Sequence, residues 1–404
     1  MSNILKGMRV VEGSAFVAVP LAGMTLAQLG ADVIRFDRLE GGLDAKRWPV
    51  TDTGQSLFWA GLNKGKRSIA IDMKSDRGRE LVSEIIAAPG ENAGMFLTNL
   101  RVRGWMDYET LVKHRADLIM VTLLGDRHGR PQVDYTVNPA VGFPMATGPA
   151  DLDEPVGHAL PAWDCIAGHL AVIGLLAAER QRLQTGKGDS VEITLKDVAA
   201  AMLGNLGIIG EVMVNGTDRA KCGNSLYGAY AQDFVCRGGQ RVMVIGLTDR
   251  QWRGLVKMTG TEDQVTALEE ALGHSLKDEG ARWHARDAIT AILAPWFAAR
   301  TISEFGTDFD AAGITWSVYR TFKDAVESDP DLSASNPMFA DINQPGIGSY
   351  RVPGSPLTFG HHPRTPPDPA PVLGANTEEI LADVAGLPVH EIARLFDDGV
   401  VAGP

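Results

Sequence analysis

The chain has 404 residues, of which 45% are hydrophobic and 22% charged, so it can bury a large core and is long for one domain; two domains are expected. A net charge of -12 gives no broad basic field, which argues against nucleic acid or an anionic membrane surface as partner; an anionic small ligand would need a local basic site. Three widely spaced cysteines, Cys165, Cys222 and Cys236, form no metal-ligand spacing and read as reduced thiols of a cytoplasmic protein. Cys165 reads as a packing residue.

The N-terminal segment MSNILKGMRVVEGSAF is too poor in basic residues and its apolar run too short for a signal peptide. No stretch reaches the roughly 20 apolar residues that span a bilayer, so no membrane partner is expected. The apolar run at residues 167–178 carries His169 and two glycines, as a buried helix would.

In chain order, MRVVEGS predicts a strand, PLAGMTLAQLGA a helix stopped at Gly30, and ADVIRFD a second strand, which together make a βαβ unit and a parallel sheet. RSIAIDM, RGRELVSEIIAA, GMFLTNL and ADLIMVTLLG continue as strand, helix, strand and strand. Helices are expected from Trp163 to Arg182 and from Lys196 to Val214, with the strand DSVEITL between them. YAQDFVCRGGQRVMVIGL then predicts a hairpin around Gly238-Gly239, followed by amphipathic helices as far as Trp296. The Pro- and Gly-rich stretch from Asn336 to Pro371 predicts extended chain over a surface or a partner subunit, before the short helix TEEILADVAG. The resulting organisation is a large α/β domain begun by residues 1–225, a small α+β domain at 226–335, and a return segment at 336–404 that completes the large domain.

Two clusters could carry chemistry. Asp164 stands near the start of a long apolar helix, where backbone N–H groups and the helix dipole stabilise a carboxylate; an N-cap is the plain reading and a reactive carboxylate the other. NKGKRSIAIDMKSDRGR concentrates Lys64, Lys66, Arg67 and Lys74 on an acidic chain, either as a phosphate-binding loop or as a solvated turn. Arg35 and Arg38 at the end of the second strand, and Arg101 and Arg103 after TNL, could converge on the same polyphosphate, since ligands of open α/β sheets bind beyond the carboxyl ends of strands. No G-x-G-x-x-G, Walker A or G-x-S-x-G sequence occurs, and His361-His362 lacks a third ligand, so no metal is expected.

These residues resemble the class III CoA-transferases. The likeness rests on GMRVVEGSAFVAVPLAGMTLAQLGADVIRFDR, NKGKRSIAIDMKSDRGRELV, the D-x-x-x-G of Asp164 to Gly168 followed by AAERQRLQTGKGDSVEITLKD, and PAPVLGANTEEIL, and it covers nearly the whole chain. Within the family, EGSAFVAVPLAGMTLAQLGADVIRFD, KRWPV, SLFWAGLNKGKRSIAID, VDYTVNP, LPAWD, QPGIGSY and VVAGP look most like a branch that moves CoA between the two carboxyls of one branched C4 unsaturated diacid.

The resemblance implies an α/β fold with a Rossmann-like, doubly wound large domain and a smaller α+β domain, in an interlocked homodimer. It implies an acyl-CoA substrate, with no cofactor beyond the coenzyme A that the substrate carries. Asp164 falls on the family's nucleophile and would form an aspartyl-CoA thioester. CoA contacts carry over to Val17, Ala18, Arg38, Ile71, Asp72, Met73, Lys74, Asn99 and Arg103. Where racemases of the family have a histidine followed by an aspartate, this chain has Tyr135 and Thr136, which removes half the racemisation machinery; Tyr135 is kept as a contact residue. No glycine-rich loop like the one that shields the intermediate elsewhere in the family is found, and GNSLYGAY is the segment that could replace it; Trp163, Phe143 and Tyr227 are either pocket walls or aromatic core. Intermolecular transfer between dicarboxylates, and a catalytically silent CoA-ester-binding protein, are the alternatives.

Overall fold

A computed structural model of the chain describes residues 3–100 and 103–404. Parallel strands buried on both faces should be apolar almost throughout. That is what the first strands are: Val10, Val11, Ile34, Phe96 and Leu97 are all within 2% of complete burial. In chain order the elements are β1 (Arg9–Gly13), α1 (Ala18–Gln28), β2 (Asp32–Asp37), α2 (Leu57–Leu62), β3 (Arg67–Ile71), α3 (Asp76–Ala87), β4 (Met95–Thr98), α4 (Tyr108–Leu111), β5 (Ile119–Leu124), α5 (Asp134–Ala140), α6 (Phe143–Ala146), α7 (Ala162–Thr185), β6 (Asp189–Thr194), α8 (Leu195–Asn205) and α9 (Ile208–Asn215).

β1 to β6 pair in parallel in the order 3-2-1-4-5-6, and the C-terminal strand Val401–Ala402 closes the β3 edge in antiparallel register, Val401 opposite Ile71. This is the dinucleotide-fold order. Its switch point lies between β1 and β4, where the chain runs outward on either side and opens a crevice at the strand ends. The expected α/β class and doubly wound sheet are therefore present.

The chain divides into two compact units. The first comprises Met1–Val141, His158–Asn215 and Pro330–Pro404, and the second comprises Gly142–Gly157 and Gly216–Asp329. In the second unit, β7 (Tyr230–Val235) and β8 (Arg241–Gly246) form the expected hairpin, β9 (Thr315–Val318) adds a third antiparallel strand, and helices pack a core around Trp252, Phe297 and Phe309. Residues 142–157 lie in this unit, although the sequence reading kept them in the large domain.

Three local departures have physical causes. The single helix expected from Lys196 to Val214 is broken into α8 and α9 with a 61° bend, because Gly207 takes φ +78°. The Pro- and Gly-rich return segment is extended but folds back on itself, Phe339–Gln344 pairing antiparallel with Gly348–Pro353 around a turn at Gly346, whose φ is +74°. α7 reaches 24 residues, long and apolar enough by composition to cross a bilayer. It packs instead against α1, β5 and β6 and stops at Gly186, whose φ is +69°.

Candidate active site

α7 sets the stage because its first turn carries Asp164. Pro161 is the residue before the helix and offers no side-chain cap, so the first N–H groups need an acceptor from elsewhere. Asp134, at the start of α5 and 1% exposed, provides it. Its Oδ2 accepts from the backbone N–H of Trp163 at 2.7 Å and of Asp164 at 3.2 Å, and its Oδ1 lies 2.9 Å from His158 Nε2. Asp164 is thus not the cap. The cap is Asp134, which the sequence reading passed over because it comes from another helix, some 30 residues away.

The Asp164 carboxylate, in contrast, makes no hydrogen bond or ion pair with any described residue. Burial and the nearby negative charge of Asp134 push its pKa up to about 6, against the opposing pull of Arg47. A partly desolvated, unpartnered carboxylate that remains ionised at neutral pH is suited to nucleophilic attack.

The D-x-x-x-G spacing has a packing reason. Gly168 lies one helical turn beyond Asp164 on the same face. A Cβ there would stand 2.6 Å from the Ala18 carbonyl oxygen, so only glycine lets α7 approach the start of α1 so closely. Asp164 therefore sits next to the β1–α1 turn. Asn99, just after β4, grips that turn from both sides: its Oδ1 accepts from Ala15 N–H at 2.9 Å and its Nδ2 donates to Ala15 O at 2.7 Å.

The expected CoA contacts fall into three groups. Arg38, Asp72, Met73 and Lys74 line one cleft of about 610 Å³, together with Ser14, Ala15 and Leu100, at the carboxyl ends of β1 to β4. Asn99 and Arg103 line a neighbouring cleft of about 560 Å³ near Thr122 and Gln132. Val17 and Ala18 begin α1, where Ala18 is 1% exposed and can offer a ligand only its backbone. The Ile71 side chain is fully buried at the end of β3, facing core rather than cleft. Tyr135 stands exposed on the first turn of α5, its ring nearly perpendicular to that of His158 with centroids 6.5 Å apart.

Within the basic cluster, Lys64, Lys66 and Arg67 are held by protein partners, and Lys74 lines the cleft. Lys66 is buried, with Nζ 2.8 Å from Glu12 and donating at 2.9 Å to the Asn63 side chain and the Pro20 carbonyl; burial pushes its pKa down to about 8. Lys64 is buried against the Gly61 carbonyl and likewise falls to about 8. Arg67 pairs with Asp32 and Glu379. Arg35, fully buried, is spent on Asp37, Asp44, Asn63 and the Ser14 carbonyl. Of these positions Arg38 and Lys74 alone line the cleft, and Arg101 lies outside the described residues.

Thr136 caps α5, its Oγ1 accepting from Val133 N–H at 3.0 Å. Trp163 is core, 4% exposed and bonded to Asn138, while Phe143 and Tyr227 belong to the second unit, Tyr227 between Arg219 and Trp283. Residues that the sequence reading missed are Asp134, His158, Phe16 and Arg47. Phe16 is the non-glycine residue with a left-handed backbone among those described, at φ +66°, and the Arg47 guanidinium lies over its ring at 5.4 Å and over the Phe58 ring at 5.2 Å.

Comparison with known proteins agrees with the resemblance drawn from the motifs. The chain is 58% identical over its whole length to 2-methylfumaryl-CoA isomerase of Chloroflexus aurantiacus, covering 99% of that protein. It is 26% identical to succinyl-CoA:mesaconate CoA-transferase of Haloarcula marismortui, over 95% of this chain and 96% of that one. The crystal structure of a CAIB/BAIF family protein from Brucella suis superposes with a TM-score of 0.78 at 25% identity, covering 95% of this chain and all of the other. Residues 5–377 match the family model, and the chain belongs to CoA-transferase family III.

Proposed function

We propose that the chain moves CoA between the two carboxyl groups of one molecule, converting 2-methylfumaryl-CoA (mesaconyl-C1-CoA) to 3-methylfumaryl-CoA (mesaconyl-C4-CoA). The observation that carries this reading is the unpartnered Asp164 carboxylate, in a chain 58% identical to an isomerase of that name.

The steps balance without a redox or metal partner. An Asp164 oxygen attacks the thioester carbonyl, the C–S bond breaks, and a mixed anhydride forms as CoA thiolate leaves. The thiolate attacks the Asp164 carbonyl and breaks the anhydride C–O bond, giving aspartyl-CoA thioester and free mesaconate. Mesaconate turns, its other carboxylate attacks the aspartyl thioester, and the same two steps run in reverse. The CoA moiety is read into the strand-end cleft, where Arg38 and Lys74 offer cations to its phosphates. Retention of mesaconate raises the effective concentration of its second carboxylate above that of any acid in solution.

The active species is proposed to be a homodimer. Support comes from apolar side chains left exposed on α7 and α9: Ile173, Val212, Met213 and Val214, with Val214 83% exposed.

A second reading, intermolecular transfer between two dicarboxylates, is favoured by the similarity to succinyl-CoA:mesaconate CoA-transferase. Incubation with 2-methylfumaryl-CoA and isotopically labelled free mesaconate separates the two. The proposal expects 3-methylfumaryl-CoA without label by mass spectrometry, and heavy labelling of the product would establish the second reading instead.

A further inference from the structure

We infer that Arg47, held between the rings of Phe16 and Phe58, is the specificity-determining residue that anchors the diacid's free carboxylate beside Asp164. The inference deepens the function proposed above and rests on it.

Three independent observations converge. The first is backbone strain. Phe16 holds φ +66°, a region that a bulky residue enters only when its surroundings enforce it and that tends to mark functional sites. The enforcement is visible on both sides. Asn99 clamps Ala15 through both atoms of its amide, and α7 presses on Ala18 through Gly168.

The second is what the strained residue supports. The Arg47 guanidinium lies over the Phe16 ring at 5.4 Å and the Phe58 ring at 5.2 Å. Ser56 Oγ donates to the Arg47 carbonyl at 2.6 Å, and Arg47 N–H donates to Asp44 O at 3.2 Å, so the backbone beneath it is fixed as well. Stacking leaves the N–H edge of a guanidinium free for a bidentate contact with a carboxylate.

The third is that this edge is unused. Arg47 makes no ion pair or side-chain hydrogen bond with any described residue, whereas Arg35, Arg67 and Arg115 are all paired with carboxylates. Its charge is nevertheless felt by Asp164. The nucleophile thus has a stacked, uncommitted cation close by.

A cation in this place explains how one molecule serves as donor and acceptor. In the first half of the reaction one carboxyl is at Asp164 and the other is free. After the mesaconate turns, the two exchange places. One guanidinium fork fits either carboxylate, so the same anchor serves both halves and keeps the dianion from leaving between them. A monocarboxylic acyl group has nothing to place there.

The test compares wild type, R47Q, R47K and F16G with two esters, 2-methylfumaryl-CoA and crotonyl-CoA, which lacks the second carboxylate. Rapid quench and mass spectrometry follow the adduct on Asp164 and the free mesaconate. In R47Q the preference for the diacid ester in adduct formation should fall about a hundredfold, and free mesaconate should escape into solution. R47K should fall between, since an ammonium is a point charge without the fork, and F16G should lose part of the same preference. An equal loss with both esters, or none with either, would overturn the assignment. Failure of the wild-type protein to convert 2-methylfumaryl-CoA would instead sink the underlying function, before any variant is compared.

Discussion

The backbone N–H of Asp164 is held at 3.2 Å by the carboxylate of Asp134, a buried anion that also takes the N–H of Trp163 and faces His158. One acid thus fixes the main chain of another and raises its basicity. D134A should leave two helix N–H groups and His158 without their acceptor, costing about 1–3 kcal/mol of stability. It should also move the acid limb of the rate profile to lower pH, by removing a like charge. D134N, which keeps an acceptor oxygen, should recover most of the melting temperature but share the shifted profile. Thermal unfolding and kcat/KM against pH check both.

The raised pKa of Asp164 has its own signature. Activity needs the carboxylate, so it should rise with pH through about 6. Stability should run the opposite way. Ionisation is penalised in the folded state, so the stability linked to this group is complete below about 3.8 and is lost as pH rises through about 6. D164N should therefore be inactive yet more stable than wild type at pH 8, by up to roughly 3 kcal/mol, and the gain should vanish near pH 3.5. Denaturant titrations at the two pH values measure it.

G168A adds one methyl group 2.6 Å from the Ala18 carbonyl oxygen. The obstacle is backbone, which cannot swing aside, so α7 must shift. A loss of about 1–3 kcal/mol is expected, together with a fall in kcat larger than the change in KM, because the shift carries Asp164 with it. An unchanged kcat would show that the close approach is not needed for chemistry.

Lys66 and Glu12 form a fully buried ion pair at 2.8 Å beneath the cleft. K66M removes the nearer of two cations facing Glu12, leaving it the Ser14 hydroxyl at 2.6 Å and Arg35 at 3.6 Å, and should cost up to about 3–5 kcal/mol. The double substitution E12Q/K66M should recover part of that loss. Chemical denaturation of wild type, E12Q, K66M and the double variant gives the coupling directly.

If α9 lies in a subunit interface, M213D and V214D should yield monomers by light scattering, with secondary structure retained. Dimers of unchanged stability in both variants would place the interface elsewhere.

The sheet was legible because buried parallel strands such as RVVEG and MFLT carry β-branched and other apolar residues at their centres and are punctuated by glycines at Gly30 and Gly94. The hairpin at Gly238-Gly239 was legible for the same local reason. What could not be read was whatever depends on distant pairing. Lys66 looked like a phosphate ligand because its partner Glu12 is 54 residues away. Asp164 looked like a cap because the true cap, Asp134, comes from another helix. Phe16 carries no turn signature in its residue type, since its left-handed backbone is imposed by Asn99 and Gly168 from outside. β9 and the Val401–Ala402 strand are short and take their strand character from the sheets they join.

That last strand gives the molecule a schedule. The β3 edge stays open until Val401 pairs with Ile71, and Thr377 reaches Ala70 across 307 residues of chain. At ordinary synthesis rates the ribosome needs on the order of 15–60 s to cover that distance. Throughout that time the nascent strand-end cleft has an unsatisfied sheet edge beside it, a template for wrong partners. Everything that makes the second unit is also made within the same interval. The unit bearing Asp164 is therefore begun first and finished last.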